Sequence, residues 1–126
     1  MKIDFVRDTG GINIINAYSE GSILVGNATY SSSLILSAND IIDDWPPQAF
    51  PELNSSHLEQ VISLSPEIIL LGTGQKILFP DAAIMSPITS NRIGYEIMDT
   101  GAACRSFNFL VAEGRHVVAA LFMIGG

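Results

Sequence analysis

The sequence predicts an α/β fold, with an N-terminal β-meander followed by a central mixed sheet packed by helices in layers. Three observations predict it. Short β-type runs broken by Gly and Asn turns fill the first third of the chain. Ile68-Ile69-Leu70-Leu71 is an apolar run without alternation, the pattern of a strand covered on both faces. From there on, strand-like and helix-like segments alternate, which is the βαβ signature of parallel pairing with a right-handed crossover.

The 126 residues are expected to form one domain spanning 1–126 and to bury about two-thirds of the chain surface. Hydrophobic residues at 48% against charged residues at 15% place the chain among globular proteins rather than disordered ones. A net charge of -7 argues against nucleic acid as a partner, because such binding needs a basic stripe. It argues equally against docking by charge on an anionic membrane. The single cysteine, Cys104, excludes an intramolecular disulfide and a multi-cysteine metal site. No metal site and no cofactor are expected, and a reducing compartment, the cytoplasm, is the simplest location. The start, Met1-Lys2-Ile3-Asp4, lacks the apolar run of a signal peptide. No stretch approaches the ~20 apolar residues of a membrane-spanning helix. Any membrane role is therefore expected to be association rather than insertion.

In chain order, residues 1–10 read as irregular. Ile12 to Tyr18 and Ser22 to Val25 read as two strands joined by a turn at Ser19-Glu20-Gly21. Thr29 to Leu36 reads as one further strand, with Ser31 to Ser33 as a flat, exposed edge. From Asp40 to Pro51, acids and prolines forbid a long regular element. Trp45 in this connector has two readings: a partner-binding aromatic at the tip of an acidic loop, or a side chain folded onto the core. A helix begins near Asn54 to Ser56, with Ser56 and Glu59 at capping-box spacing, and ends at Pro66. His57 in its first turn is expected on the surface.

After the strand ending at Leu71, Gly72-Thr73-Gly74 stands at a carboxyl end, where open α/β sheets bind ligands. It lacks the third glycine of a dinucleotide fingerprint and the Lys-Ser/Thr of a P-loop. Gln75 to Phe79 reads as a short strand. A helix follows from Pro80, disturbed at Pro87. Ile93 to Met98 is the next strand and runs straight into Asp99-Thr100-Gly101. Thr100 is a suitable N-cap for a helix reaching Ala112, with Gly114 in C-cap position. Ala103, Cys104, Phe107, Leu110 and Val111 recur at spacings of 3 and 4 and form its apolar stripe. His116 to Ile124 is the last strand.

The strand-to-helix junction carries the candidate chemistry. A helix N-terminus offers free N–H groups and a positive dipole end, a natural anion site. Gly72, Thr73, Gly74, Asp99, Thr100, Arg105 and Asn108 could converge there as a ligand-binding pocket for a carboxylate or phosphate. Alternatively, Arg105 pairs with Asp99 or Glu113 and braces the turn. Asp99-Thr100-Gly101 is also the aspartic-protease triplet, but here it feeds a helix and has no second copy in the chain. Cys104 near a helix start could be a nucleophile, yet it lies on the apolar stripe with no histidine nearby in sequence. No catalytic residue is assigned. Phe109 falls off the stripe, and an exposed aromatic there would mark a partner-binding surface.

Three strings carry a resemblance: Glu67-Ile-Ile-Leu-Leu-Gly-Thr-Gly74, Ile93 through Asn108 (with Met98-Asp-Thr-Gly-Ala-Ala-Cys-Arg105 the most specific part), and Leu110-Val-Ala-Glu-Gly-Arg115. Together they resemble the domain-of-unknown-function family of the Mth-type fold that includes the mitochondrial respiratory complex I assembly factor 3. The resemblance runs from Ile12 to Leu121 and is strongest in the second half. It implies layered sheets with helices against them, and a family without established catalytic activity. It further implies a non-enzymatic assembly factor or scaffold for a larger complex such as respiratory complex I. Such a chain would have a protein partner and would associate peripherally with a complex at the inner membrane. A bacterial member would fit the absence of a presequence. The alternative from a different class is a small-molecule binding module or enzyme using the Asp99–Arg105 helix start.

Overall fold

The computed structural model describes residues 11–125. The irregular start expected at 1–10, and Gly126, lie outside the described residues. Strands β1 (Ile15–Ser19), β2 (Ser22–Val25) and β3 (Ala28–Tyr30) form an antiparallel three-stranded meander, in that order. Strands β4 (Leu34–Ser37), β5 (Ile41–Ile42), β6 (Ile68–Gly72), β7 (Gly94–Met98) and β8 (Val117–Leu121) form a mixed sheet in the order β5-β4-β8-β6-β7. The meander and the mixed sheet of the expected α/β fold are thus both present. Parallel pairs join β6 to β7 and β6 to β8, while β4 runs antiparallel to β8.

Strand periodicity explains the layers. Along β8, Val117, Ala119 and Leu121 face one core, and Val118 and Ala120 face another. On the first face lie the meander, through Ile15, Ile23 and Val25, and helix α3 (Thr100–Ala112), through Ala103, Cys104, Phe107 and Val111. The stripe read from the sequence is the buried one, with Leu110 only partly covered. On the second face lie α1 (Ser55–Ile62) and α2 (Ala82–Ser90), through Leu58, Val61, Met85 and Ile88. Both faces of β8 and β6 are therefore covered, as the unbroken apolar run of β6 requires.

Several local expectations are corrected. The expected strand Thr29 to Leu36 is two strands in different sheets. The break falls at Ser31 to Ser33, and Ser33 is buried rather than an exposed edge. Its hydroxyl donates to the Pro47 carbonyl, with the Trp45 carbonyl 3.3 Å away. Trp45 is completely buried, so it cannot serve as the partner-binding surface. Its indole Nε1–H donates to the His57 carbonyl at 3.1 Å, and its ring lies 5.2 Å from that of Phe122. A large apolar ring with one satisfied donor belongs in a core.

The cap of α1 is Asn54, not Ser56. The Asn54 side chain accepts the Ser56 and His57 N–H groups, and Nδ1 of His57 accepts the Asn54 N–H at 3.1 Å. His57 therefore closes the capping box in place of a Glu and is half-buried. The helix ends at Ile62, before Pro66, through a turn in which Ser65 has positive φ. Gln75 to Phe79 forms no strand. Helix α2 runs through Pro87, which sits within its second turn. Finally, β7 is an edge strand, while β8 holds the middle of the sheet.

Candidate functional site

The junction of β6, β7 and α3 is built by small residues and one buried hydroxyl. A side chain at Gly72 would place its Cβ 2.9 Å from Leu121 Cδ2 and 3.1 Å from Ala103 Cβ. Only a glycine lets α3 approach β6 this closely. Gly74 has φ of +104, a backbone turn that other residues rarely adopt. Between them, Thr73 is buried, and its hydroxyl donates to the Lys76 carbonyl at 2.5 Å and accepts the Leu78 N–H at 3.0 Å. That pairing fixes the loop where a strand was expected.

Thr100 is not the N-cap but the first helical residue, and it is fully buried. Its hydroxyl accepts the Gly74 N–H at 2.8 Å and donates to the Phe122 carbonyl at 2.6 Å. Its own N–H donates to the Gly74 carbonyl at 2.9 Å. One side chain thus stitches the end of β6 and the segment after β8 to the start of α3. Asp99 is the N-cap, and its carboxylate accepts the Ala102 N–H at 2.9 Å. The helix N-terminus already holds an anion, the chain's own.

The remaining candidates turn toward the meander. Asn108 grips the backbone of Ile15 with both ends of its amide. Oδ1 accepts the Ile15 N–H at 2.9 Å, and Nδ2 donates to the Ile15 carbonyl at 2.7 Å. This reproduces a strand-pairing contact with a side chain and ties β1 to α3. Arg105 pairs with neither Asp99 nor Glu113. It donates to the Tyr18 hydroxyl, and its guanidinium carbon lies 5.9 Å from the centre of the Tyr18 ring. Tyr18 is a residue that the sequence did not single out. Its ring closes over Gly101, where a Cβ would come within 2.9 Å of Tyr18 Cε1. The small residue at Gly101 was the available signal. Cys104 is buried, and burial pushes its thiol up to about 12, away from nucleophile chemistry.

The structure therefore does not gather Gly72, Thr73, Gly74, Asp99, Thr100, Arg105 and Asn108 into one open pocket. The first three and Thr100 are buried in the joint, and Asp99, Arg105 and Asn108 are engaged on different sides of it. Open surface lies elsewhere on the same helix. Phe109 is 65% exposed. It borders a shallow groove of about 380 Å³ between α3 and β7, whose floor and walls include Ile68, Leu70, Met98, Leu110, Glu96 and Arg105. The groove exists because α3 packs over β6 and β8 and leaves the same face of β7 uncovered. A second apolar patch, Ile77-Leu78-Phe79, is exposed on the loop that Thr73 shapes. Among the described residues, no helix is long and apolar enough to cross a membrane.

Comparison with known proteins places these features in a family. Residues 15–122 match the protein family of unknown function DUF498/DUF598. The "13 kDa major membrane protein" of Francisella tularensis is 34% identical over 101 residues, covering 79% of this chain and 82% of that one. The "NADH dehydrogenase [ubiquinone] 1 alpha subcomplex assembly factor 3" of Xenopus tropicalis is 31% identical over 118 residues, and the match spans 91% of this chain but only 63% of that one. A solved Bordetella pertussis protein described as a Mth938-like domain superposes with a TM-score of 0.83 at 29% identity, covering 99% of this chain and 94% of that one.

Proposed function

This chain belongs to the protein family of unknown function DUF498/DUF598, and on that footing we propose that it is a non-enzymatic assembly factor, a scaffold that binds a protein partner. The observation that carries this reading is the contrast along α3. Thr100 and Asp99 are engaged in the joint at its first turn, and further along the helix presents Phe109 to solvent beside a largely apolar groove. Exposed aromatics bordering a groove are what protein interfaces use as anchors. The assembly-factor relatives support respiratory complex I as the client, and we take the association to be peripheral, at the inner membrane from the cytoplasmic side. With two glycines, two hydroxyls and a carboxylate already engaged in the joint, the alternative of an anion-binding module at the Asp99–Arg105 helix start has little unoccupied polar surface to use.

Co-purification separates the two. Tagged protein recovered from its own cells at low salt is expected to bring down subunits of respiratory complex I. The same protein heated with a panel of phosphates, nucleotides and carboxylates is expected to show an unchanged unfolding temperature. Recovery of no complex I subunit, together with stabilisation by one of those anions, would reverse the assignment.

A further inference from the structure

Among the described residues the outer edge of β7 is open, and its chemistry specifies what could pair with it. The Met98 carbonyl accepts the Thr73 N–H on the β6 side. Backbone direction alternates along a strand, so Gly94, Glu96 and Met98 turn their N–H and C=O groups toward β6. Tyr95 and Ile97 turn theirs outward, and no strand lies beyond β7 among the described residues. An outward row of paired donors and acceptors is a template for an added strand. The opposite edge of the sheet is different: β5 has only two residues, Ile41 and Ile42, flanked by Asp40, Asp43 and Asp44. Short length is an ordinary protection for an edge, and β7, with five residues, lacks it; Asp99, which follows it, is turned to cap α3, and Glu96 is the one acid within the strand.

Side chains next to the edge set the selectivity. Glu96 and Met98 project from β7 on the α3 face, into the groove that Phe109 borders. An added strand would place alternate side chains over that groove. One would lie beside the Glu96 carboxylate, and its neighbour two residues along would lie against Met98 and Phe109. Arg105 lines the same groove but donates to the Tyr18 hydroxyl on the meander side, and the exposed Glu96 has no ion pair among the described residues; its carboxylate calls for a basic side chain, and the apolar wall calls for an apolar one. The same carboxylate disfavours a second copy of this chain. Antiparallel pairing of two β7 strands over their full length would set Glu96 against Glu96 at a Cα separation of roughly 4.5 Å, where like charges repel.

We propose that the β7 edge takes an extended segment of a partner protein as an added strand, one that carries a basic side chain beside Glu96 and an apolar side chain against Met98 and Phe109. The proposal rests on the scaffold reading above and names the mode of its contact.

The test is selection of short random peptides displayed on phage against the whole protein, followed by amide hydrogen exchange on the protein with the enriched peptides synthesised. Enriched peptides are expected to alternate, with Lys or Arg two positions from an apolar residue and no proline between them. Their binding is expected to slow exchange at Tyr95 and Ile97. Tyr95→Pro removes an outward N–H, a change that edge strands accommodate, together with the partly exposed phenol ring, and Tyr95→Ala, which keeps the N–H, is expected to bind peptide as the original does. Glu96→Lys reverses the recognising charge at an exposed position. Tyr95→Pro and Glu96→Lys are each expected to weaken peptide binding at least about tenfold with the unfolding temperature kept. The proposal is overturned by absence of enrichment, by binders that leave Tyr95 and Ile97 exchange unchanged, or by equal binding to Glu96→Lys. A dimer in sedimentation with those amides already protected would assign the edge to a second copy instead. Should Tyr95→Pro leave complex I co-purification intact while Phe109→Asp abolishes it, strand addition fails and the scaffold reading stands.

Discussion

The first turn of α3 and the outward face of its middle turns use their side chains in opposite ways. In the first turn, every candidate group has an internal partner: Asp99 caps the helix, and Thr100 joins Gly74 to Phe122. Two turns later, Phe109 has no core role and faces solvent. Polar residues at a strand-to-helix junction, however suggestive in sequence, first have to satisfy the backbone groups that the junction buries. What remains for recognition is surface that the fold leaves unused.

Among substitutions, those in the interior are expected to have the largest effects. Trp45→Ala empties a fully buried site against Phe122 and removes the donor to the His57 carbonyl. It is expected to cost about 3–5 kcal/mol in denaturant unfolding, with any loss of partner binding following the loss of fold. Thr100→Val keeps the shape but removes the hydroxyl. It leaves the Gly74 N–H and the Phe122 carbonyl buried without that partner, at about 1–3 kcal/mol for each group left unsatisfied. Stability preserved in Thr100→Val would mean that the hydroxyl is not a structural staple. Asp99→Ala removes the helix cap and is expected to lower stability by about 1 kcal/mol, measurable as a shift in urea midpoint at unchanged slope.

Cys104 sharpens the same contrast chemically. Its thiol is raised from the ordinary 9.0 to about 12, first by burial and then, to a lesser degree, by Asp99, with Arg105 opposing. A folded value above the unfolded one favours the protonated fold. That contribution is complete below pH 9.0 and disappears as pH rises toward 12. Alkylation near neutral pH should therefore proceed only as fast as the protein opens. Rapid labelling of the native protein would put the thiol on an accessible surface and restore the nucleophile reading.

Local signals in the sequence located most of the elements and few of the partners. The turn at Ser19-Glu20-Gly21 marked β2 at Ser22–Val25, the apolar run at Ile68 marked a strand covered on both faces, and His116 to Ile124 held the last strand. The stripe of α3 was visible because helical spacing is a local property. Contacts that close over long sequence separations were not. Ser33 looked like an exposed edge because its acceptors lie near Trp45 and Pro47, across the connector. Asn108 looked like a ligand residue because its partner, Ile15, is 93 residues away. That β7 stands at an edge follows from strand order, which no local pattern in Ile93 to Met98 records. Phe109 was legible for the opposite reason: a residue off the stripe has no partner to be discovered.

Phe109→Asp measured for both stability and partner recovery tests the division most directly. Phe109 is exposed, so the unfolding midpoint is expected to stay within about 0.5 kcal/mol of the original protein, while recovery of complex I subunits falls away. Unchanged recovery at unchanged stability would contradict the assignment of this face, and with it the claim that α3 folds with its first turn and recognises with its outward side.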